Sequence, residues 1–177
     1  MTDNSQHVIR LARQEAMIQE LACFEEASDS CHATVESLTK SLTFEPSDTT
    51  PNPTPGFAKT FLATIPASTS TSGKEEIAGM GLFFYNYSTW KASPGVYLED
   101  LFVRPQYRRQ GIATILLRRL AKEAYDVSGG VGRLEWNCLK WNENALKFYA
   151  EVGGERQDEW VGIRVDGERL RKLAGLE

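Results

Sequence analysis

The sequence contains only three cysteines and two histidines in 177 residues. Cys23, Cys31 and Cys138 are an odd number without C-x-x-C spacing, which argues against a disulfide framework and against a zinc ribbon. His7 and His32 lie in no metal-ligand pattern, and a histidine-based triad or zinc site would need a further candidate. Acid–base chemistry must therefore fall to carboxylates, tyrosine or water, and we expect no bound metal.

The chain also lacks an apolar run near the roughly 18 to 20 residues that span a membrane. Residues 1–6 have neither the basic nor the apolar segment of a secretory signal, so we expect a cytoplasmic protein without a membrane partner. Excess positive charge is absent as well: the net charge is −4, which does not favour nucleic-acid binding. With 41% hydrophobic and 25% charged residues, the length suits a single globular domain.

The charge is unevenly distributed along the chain. Acidic residues are frequent in the amino-terminal third, whereas basic residues cluster about Gly111: Arg104, Arg108, Arg109, Arg118, Arg119 and Lys122. A polyanionic cofactor at one end of the molecule and a cationic substrate at the other would suit this distribution.

Residues 97–114, Y-L-E-D-L-F-V-R-P-Q-Y-R-R-Q-G-I-A-T, predict a buried strand, a basic loop and the first turn of an amphipathic helix. The loop has neither the G-x-x-x-x-G-K-[ST] of a P-loop nor the G-x-G-x-x-G of a dinucleotide fold. Gly111 and Ala113 nevertheless allow backbone N–H groups to approach an anion at the helix amino terminus. Arg108 and Arg109 flank this point. A surface turn with solvated arginines is the alternative interpretation.

Periodicity and turn residues predict one α/β domain over 1–177, with helices packed on a mixed sheet. The predicted helices cover 7–27, 34–42, 112–126, 143–152 and 168–173. The predicted strands cover 57–65, 76–87, 96–103, 133–139 and 160–165. The core spans about 57–177, the amino-terminal helices about 7–42, and flexible loops about 45–56 and 67–74. Gly79-Met80-Gly81 predicts a bulge or a close backbone approach in its strand.

Asn142, Ala145 and Tyr149 lie at i, i+3 and i+7 of one predicted helix and therefore share a face. Asn142 is also a good N-cap residue. A polar cap, a small residue and a phenol on one stripe suit a helix that lies against a ligand. An amphipathic helix whose stripe faces the core, with Tyr149 bonding incidentally, is the alternative.

The order of these motifs resembles the GNAT superfamily of acetyl-CoA-dependent N-acetyltransferases: a strand, the R-R-Q-G-I-A loop and a helix, then a strand and the W-N-E-N-A-L-K-F-Y helix. Four segments are similar, more narrowly, to the diamine acetyltransferases, which comprise spermidine/spermine acetyltransferase and its thialysine-acetylating relative. They are Y-N-Y-S-T-W-K at 85–91, Y-L-E-D-L-F-V at 97–103, W-N-E-N-A-L-K-F-Y at 141–149 and E-R-L-R-K-L-A-G at 168–175. The resemblance runs from about residue 16 to the end.

The resemblance implies the GNAT fold, with a mixed and mostly antiparallel sheet and helices on both faces. It also implies acetyl transfer from acetyl-CoA to a primary amine by direct attack on the thioester, in a homodimer. Backbone N–H groups would receive the pyrophosphate at Arg108, Arg109, Gln110, Gly111, Ile112, Ala113 and Thr114. The pantetheine arm would pair with the backbone of Leu101, Phe102 and Val103. It would also lie against the helix face that carries Asn142 and Ala145.

By the same resemblance, Tyr149 protonates the leaving thiolate and Glu99 serves the incoming amine, directly or through water. The chemistry agrees, because an alkylammonium with a pKa near 10.4 must lose a proton before its nitrogen can attack. Strand alternation sends Glu99 and Asp100 to opposite faces, so only one can point into a given site unless a bulge intervenes. We place Glu99 first and Asp100 second as substrate-binding residues, with structural ion pairing as the alternative for each.

Trp90, matched by family position, is a candidate wall of the amine pocket, and Glu25 and Glu159 are weaker candidates for the distal cationic end of the substrate. A core tryptophan and solvated carboxylates are the alternatives.

At the amino terminus, residues 9–12 resemble the first strand of the family, but 18–21 follow too soon for both a strand and a full helix. We therefore expect the first strand to be missing or degenerate, with a frayed strand as the alternative.

The sequence does not identify the amine that accepts the acetyl group. The resemblance favours thialysine or lysine-like amino acids, and the acidic amino-terminal third would suit a polyamine equally well. A protein lysine or amino terminus is a second possible acceptor, and a non-catalytic acyl-CoA-binding module is a third reading of the same fold.

Overall fold

The structure is a computed structural model, and it describes residues 8–11, 17–43 and 56–176. Its helices, in chain order, are α1 Met17–Phe24, α2 Val35–Ser41, α3 Ile112–Ser128, α4 Glu143–Glu151 and α5 Gly167–Leu173. Its strands are β1 Val8–Leu11, β2 Lys59–Ile65, β3 Glu76–Ser88, β4 Ser93–Val103 and β5 Leu134–Trp136. The chain forms two compact units, 1–137 and 138–177. None of the helices described is both long enough and apolar enough to span a membrane.

The first unit contains a five-stranded sheet in the order β1-β2-β3-β4-β5. Neighbours from β1 to β4 are antiparallel, whereas β5 runs parallel to β4. A parallel neighbour cannot follow from a tight hairpin, and α3 supplies the crossover between β4 and β5. The predicted mixed and mostly antiparallel sheet is therefore confirmed.

The amino-terminal expectation is wrong. Residues 8–11 form a strand rather than part of a long helix, and they pair with β2 so that Val8 lies opposite Thr64 and Leu11 opposite Phe61. Among the described residues of the helix predicted over 7–27, the helix covers Met17–Phe24, and 7 and 12–16 lie outside the described residues. Pairing explains the result, because without β1 the outer edge of β2 would present a row of unpaired backbone groups.

Helices cover both faces of the sheet, as the sequence predicted. On one face, α1 packs on the sheet through the apolar cluster Met17, Leu21, Leu62, Met80 and Phe102. On the other face lies α3, where the Arg119 guanidinium sits 4.6 Å above the Phe61 ring. Since Phe61 and Leu62 are consecutive in β2, their opposite contacts follow from strand alternation.

The two glycines of the 79–81 segment permit α3 to approach the sheet. A Cβ on Gly81 would lie 3.2 Å from Leu120 Cδ1, and one on Gly79 would lie 2.8 Å from the Phe102 carbonyl oxygen. β3 nevertheless continues through both positions, and a bulge falls beside them, because Ala63 lies opposite Gly79 and Thr64 opposite Ile77. The close approach and the bulge expected here are both confirmed.

Two carboxy-terminal strand predictions need correction. β5 is limited to Leu134–Trp136, and the segment 160–165 has no strand structure. The side chains of Trp160 and Ile163 are 71% and 84% exposed, so this segment lacks the packing that fixes a strand. The helices of this part, α4 and α5, agree with their predictions. The expected flexible loop over 45–56 lies outside the described residues except for residue 56.

We predict that Gly79→Ala destabilises the protein by about 1 to 3 kcal/mol, because the new methyl group would clash with the Phe102 carbonyl and with Ile112. Urea-induced unfolding followed by circular dichroism measures the effect. Gly162→Ala is the matched control, since a Cβ there meets no atom within 4 Å and should change stability by less than about 0.5 kcal/mol. If Gly79→Ala lowered the free energy of unfolding no more than Gly162→Ala does, the predicted clash would be contradicted.

Candidate active site

The edge of β4 is open where the site is expected. β4 pairs with β5 only as far as Leu98, which lies opposite Trp136. Beyond that point, no strand within the described ranges pairs with this side of residues 101–103. Extended backbone with unpaired N–H and C=O groups can accept an extended ligand as an additional strand. No described strand therefore occupies the predicted site of the pantetheine arm, where the Val103 carbonyl oxygen accepts a hydrogen bond from Arg108 Nε.

A β-bulge separates the paired and the open parts of β4. Leu98 lies opposite Phe83 and Asp100 opposite Leu82, so Glu99 is one extra residue on β4. Without the bulge, Leu98 and Asp100 would share a face. With it, Asp100 joins Leu82 on the face of α1 and α2, whereas Leu98 packs on the face of α3. The bulge that would allow Glu99 and Asp100 to point into one site is therefore present.

Three carboxylates form an acidic cluster on the α1 face: Glu25, Glu99 and Asp100. Burial, together with the smaller effects of the Glu99 and Glu25 charges, raises the pKa of Asp100 to about 6. Burial likewise raises the pKa of Glu25. In the described part of the chain, no lysine or arginine forms an ion pair with any of the three. A cluster of this kind attracts an external cation.

Tyr97 borders the acidic cluster. Its ring stacks on Phe84 with centroids 5.1 Å apart. Burial raises the pKa of Tyr97, with smaller contributions from Glu99 and Glu135. The cluster is thus lined by an aromatic pair as well as by carboxylates. Sequence reasoning missed this pair, because only the register of β3 against β4 reveals it.

The predicted anion site lies at the amino terminus of α3. Gly111 is the N-cap with φ 80°, and no side chain caps the helix. The N–H of Ile115 donates to the Gly111 carbonyl oxygen and is the first N–H with an acceptor inside the helix. The N–H groups of residues 112–114 come before it and have no such acceptor. Arg109 also adopts a left-handed conformation, with φ 61°. The loop therefore presents backbone donors and a positive helix end to open space.

The Arg108 side chain does not extend into this open space. Its guanidinium lies 4.6 Å from the Phe24 ring centroid and 5.9 Å from that of Phe102. Its Nε donates to the Val103 carbonyl oxygen at 3.0 Å. Arg108 therefore connects the loop to the last residue of α1. Sequence reasoning missed Phe24, since nothing in the local sequence pairs residues so far apart.

Helix α4 belongs to the second unit and begins as predicted. The Asn142 side chain caps it by accepting from the Ala145 N–H at 3.2 Å. Tyr149 is half-buried, with its ring 5.5 Å from that of Phe148. Because one turn of an α-helix contains 3.6 residues, Asn142, Ala145 and Tyr149 share a face, as the sequence predicted. Their roles toward a ligand stay predictions.

Trp90 does not join the acidic cluster, although both belong to the first unit. Trp90 is 91% exposed in the turn between β3 and β4. Glu99 lies six residues into β4, which at about 3.3 Å per residue places it roughly 20 Å from that turn. Trp90 therefore lines no pocket with Glu99 within one chain. Glu159 belongs to the second unit and is exposed.

Comparisons with known proteins agree with this geometry. Residues 31–153 match the model of the acetyltransferase (GNAT) family. A thialysine N-epsilon-acetyltransferase of Caenorhabditis elegans is 37% identical over 162 residues, which cover 90% of this chain and 88% of that protein. L-ornithine N5-acetyltransferase NATA1 of Arabidopsis thaliana is 43% identical over 100 residues, 56% of this chain, and the match spans 43% of that protein.

Solved structures share the fold. An integron cassette protein from the mobile metagenome of V. cholerae has a TM-score of 0.69 at 22% identity, covering 97% of this chain and 99% of that one. An aminoglycoside acetyltransferase from an uncultured soil metagenomic sample has a TM-score of 0.67 at 17% identity, covering 93% and 99%.

The family match and the curated relatives define the class of protein as an acyltransferase. The chain belongs to the acetyltransferase (GNAT) family, and it is an N-acetyltransferase. Acetyl-CoA is the co-substrate that this family uses.

We predict that Asp100→Asn stabilises the protein at neutral pH. The pKa of Asp100 is about 6 in the folded chain, whereas its ordinary value is 3.8. Between pH 3.8 and pH 6, the folded state therefore keeps a proton that the unfolded state has lost. The free energy of unfolding therefore falls as pH rises from about 4 to 6, and the loss persists above pH 6. A shift of about two pKa units corresponds to about 2 to 3 kcal/mol.

Urea-induced unfolding of both proteins at pH 4 and pH 7.5 checks this. We expect Asp100→Asn to gain more stability at pH 7.5 than at pH 4, where the folded carboxyl is protonated and the unfolded one is only partly ionised. Glu155→Gln, an exposed position in the second unit, is the control for the loss of one negative charge. A gain of the same size at both pH values would contradict the electrostatic explanation.

Proposed function

We propose that this enzyme acetylates a primary amine on a small molecule, either a basic amino acid such as thialysine, ornithine or lysine, or a polyamine. One observation carries the proposal: three carboxylates lie beside the open edge of β4, and no cation of the described residues forms an ion pair with them. An acceptor amine is a cation at neutral pH, and it supplies the charge that Glu25, Glu99 and Asp100 lack.

The relatives support this choice of acceptor. They are named for thialysine and L-ornithine, each of which carries an amine at the end of a short aliphatic chain. The aromatic pair of Phe84 and Tyr97 beside the acidic cluster offers a surface on which such a chain can pack. The substrate class is thus supported by a relative and by a local feature of this chain.

The proposed reaction begins when the ammonium group binds at the acidic cluster. Glu99 accepts its proton, directly or through water, and Asp100 holds the cation in place. The neutral nitrogen attacks the thioester carbon, the carbon–sulfur bond breaks, and the Tyr149 hydroxyl donates a proton to the departing thiolate. The acylated nitrogen then releases its second proton, which restores the Tyr149 hydroxyl directly or through water. The products are the N-acetylated amine and CoA with a free thiol. A positioned acid or base of this kind contributes about 10²- to 10⁴-fold.

Binding of acetyl-CoA is proposed at three places. Backbone N–H groups of residues 109–114 receive the pyrophosphate, supported by the uncapped amino terminus of α3. The edge of residues 101–103 pairs with the pantetheine arm, supported by the end of the β4–β5 pairing at Leu98. Asn142 and Ala145 contact the arm from α4, which rests on the resemblance alone.

We predict that the protein releases CoA from acetyl-CoA in the presence of a short-chain amine, and that Glu99→Gln lowers kcat/KM by about 10²-fold or more. A thiol-release assay with thialysine, ornithine, lysine and spermidine tests this, and putrescine and cadaverine test whether a carboxylate on the acceptor matters. Glu155→Gln should leave the rate unchanged.

Three results would change the conclusion. Acetylation of a lysine peptide at a higher kcat/KM than any free amine would make the acceptor a protein. Loss of cellular activity in Gly111→Asp, with unchanged activity in Glu99→Gln and Tyr149→Phe, would favour a non-catalytic acyl-CoA-binding module. Turnover of no amine by a protein that binds CoA would refute the proposed reaction.

A homodimer is also proposed, on the resemblance to the diamine acetyltransferases. The exposed apolar side chains of Trp160, Val161 and Ile163 support it, because such surfaces are usually covered by a partner. We predict a mass of twice the 19.8 kDa of one chain in sedimentation equilibrium at micromolar concentration. A monomer under those conditions would contradict the proposal. The cytoplasmic location stays a prediction.

A further inference from the structure

The phosphate loop, defined as residues 108–114, carries backbone strain. Arg109 adopts φ 61°, a conformation that costs a residue with a side chain roughly 1 to 2 kcal/mol. A strained conformation persists only when the surrounding structure fixes it. The contacts that fix this loop therefore help to determine how well its N–H groups are placed for a pyrophosphate.

One set of contacts fixes the end of β4, just before the loop. The Arg104 N–H donates to the Ala78 carbonyl oxygen at 2.9 Å, and its Nη1 donates to that of Ile77 at 2.9 Å. The same guanidinium forms two bonds to the Glu20 carboxylate, at 2.8 and 2.5 Å. The strand end is thus attached both to β3 and to α1.

A second contact lies nearer to the loop and involves a residue that the site has not used. A 3₁₀ turn, Pro105–Tyr107, connects the strand end to Arg108. The Tyr107 hydroxyl donates to the Glu76 carboxylate at the first residue of β3. Since Tyr107 immediately precedes the loop, this hydrogen bond fixes the direction in which the loop leaves the turn.

Glu76 is suited to hold this contact. Its carboxylate also accepts hydrogen bonds from the hydroxyls of Ser70 and Ser72. The bonds from Ser70, Ser72 and Tyr107 lower the pKa of Glu76 to about 2, so it is ionised whenever the protein is folded near neutral pH. Hydrogen bonds to an ionised acceptor are stronger than those between neutral groups.

We infer that Tyr107 and Glu76 are positioning residues for the phosphate loop, and that their hydrogen bond sets the affinity for the pyrophosphate part of acetyl-CoA. The inference rests on the proposed function, since it assumes that this loop binds acetyl-CoA. Neither residue contacts the acidic cluster described above, so the acetyl-transfer step itself should not depend on them.

The test compares Tyr107→Phe and Glu76→Gln with the parent protein. We expect the dissociation constant for CoA, measured by calorimetry, to rise about five- to tenfold in each variant, while kcat at saturating acetyl-CoA stays within twofold. The kcat/KM for S-acetylpantetheine, which lacks the pyrophosphate, should not change. The double variant should lose no more affinity than Tyr107→Phe alone, because Glu76→Gln, which keeps a neutral acceptor, acts through the same hydrogen bond.

Tyr125→Phe is the matched control, since Tyr125 is 66% exposed near the other end of α3. Unchanged CoA affinity in both test variants, or an equal loss of kcat/KM with acetyl-CoA and with S-acetylpantetheine, would overturn the inference. The CoA measurement needs no turnover. If the parent protein binds CoA but acetylates no amine, the proposed function fails while weaker CoA binding by the variants still supports the positioning role.

Discussion

The bulge at Glu99 is the constraint on which the site depends. One extra residue in β4 changes the face to which the following side chains point, so Asp100 and Phe102 lie with α1 although Leu98 lies with α3. Pairing with β5 ends one residue before the bulge. The same irregularity therefore brings the carboxylates together on one face and leaves the edge of 101–103 without a strand. A regular β4 would have neither feature.

The acidic cluster is costly to the fold, and the neighbouring packing compensates for it. Phe102, two residues after Asp100, is buried against Met17, Leu21 and Met80. Full burial of such side chains contributes roughly 1.5 to 3 kcal/mol each, which is comparable to the cost of charging Asp100 beside two other carboxylates. The strand that carries Glu99 and Asp100 is thus held by an apolar layer although its carboxylates repel one another.

Sequence reasoning succeeded where the signal was local. The strand, loop and helix of 97–114 and the cap at Asn142 follow from short patterns of residue type, and each has the expected structure. Strands at 8–11 and 160–165 were both misassigned, because a strand forms only where a partner lies beside it. The position of the bulge, and with it the shared face of Glu99 and Asp100, required the register of β3 against β4. No local pattern records that register.

Phe24 shows how such distant pairings connect the two halves of the site. Its ring lies beneath Arg108 of the phosphate loop, and the next residue, Glu25, belongs to the acidic cluster. A guanidinium over an aromatic ring contributes about 0.5 to 1 kcal/mol at an exposed position, which is small enough for a ligand to outcompete. Displacement of Arg108 by a bound phosphate would change the surface on which Phe24 packs. Because Glu25 follows Phe24 directly, these two residues of the α1 end link the phosphate loop to the acidic cluster.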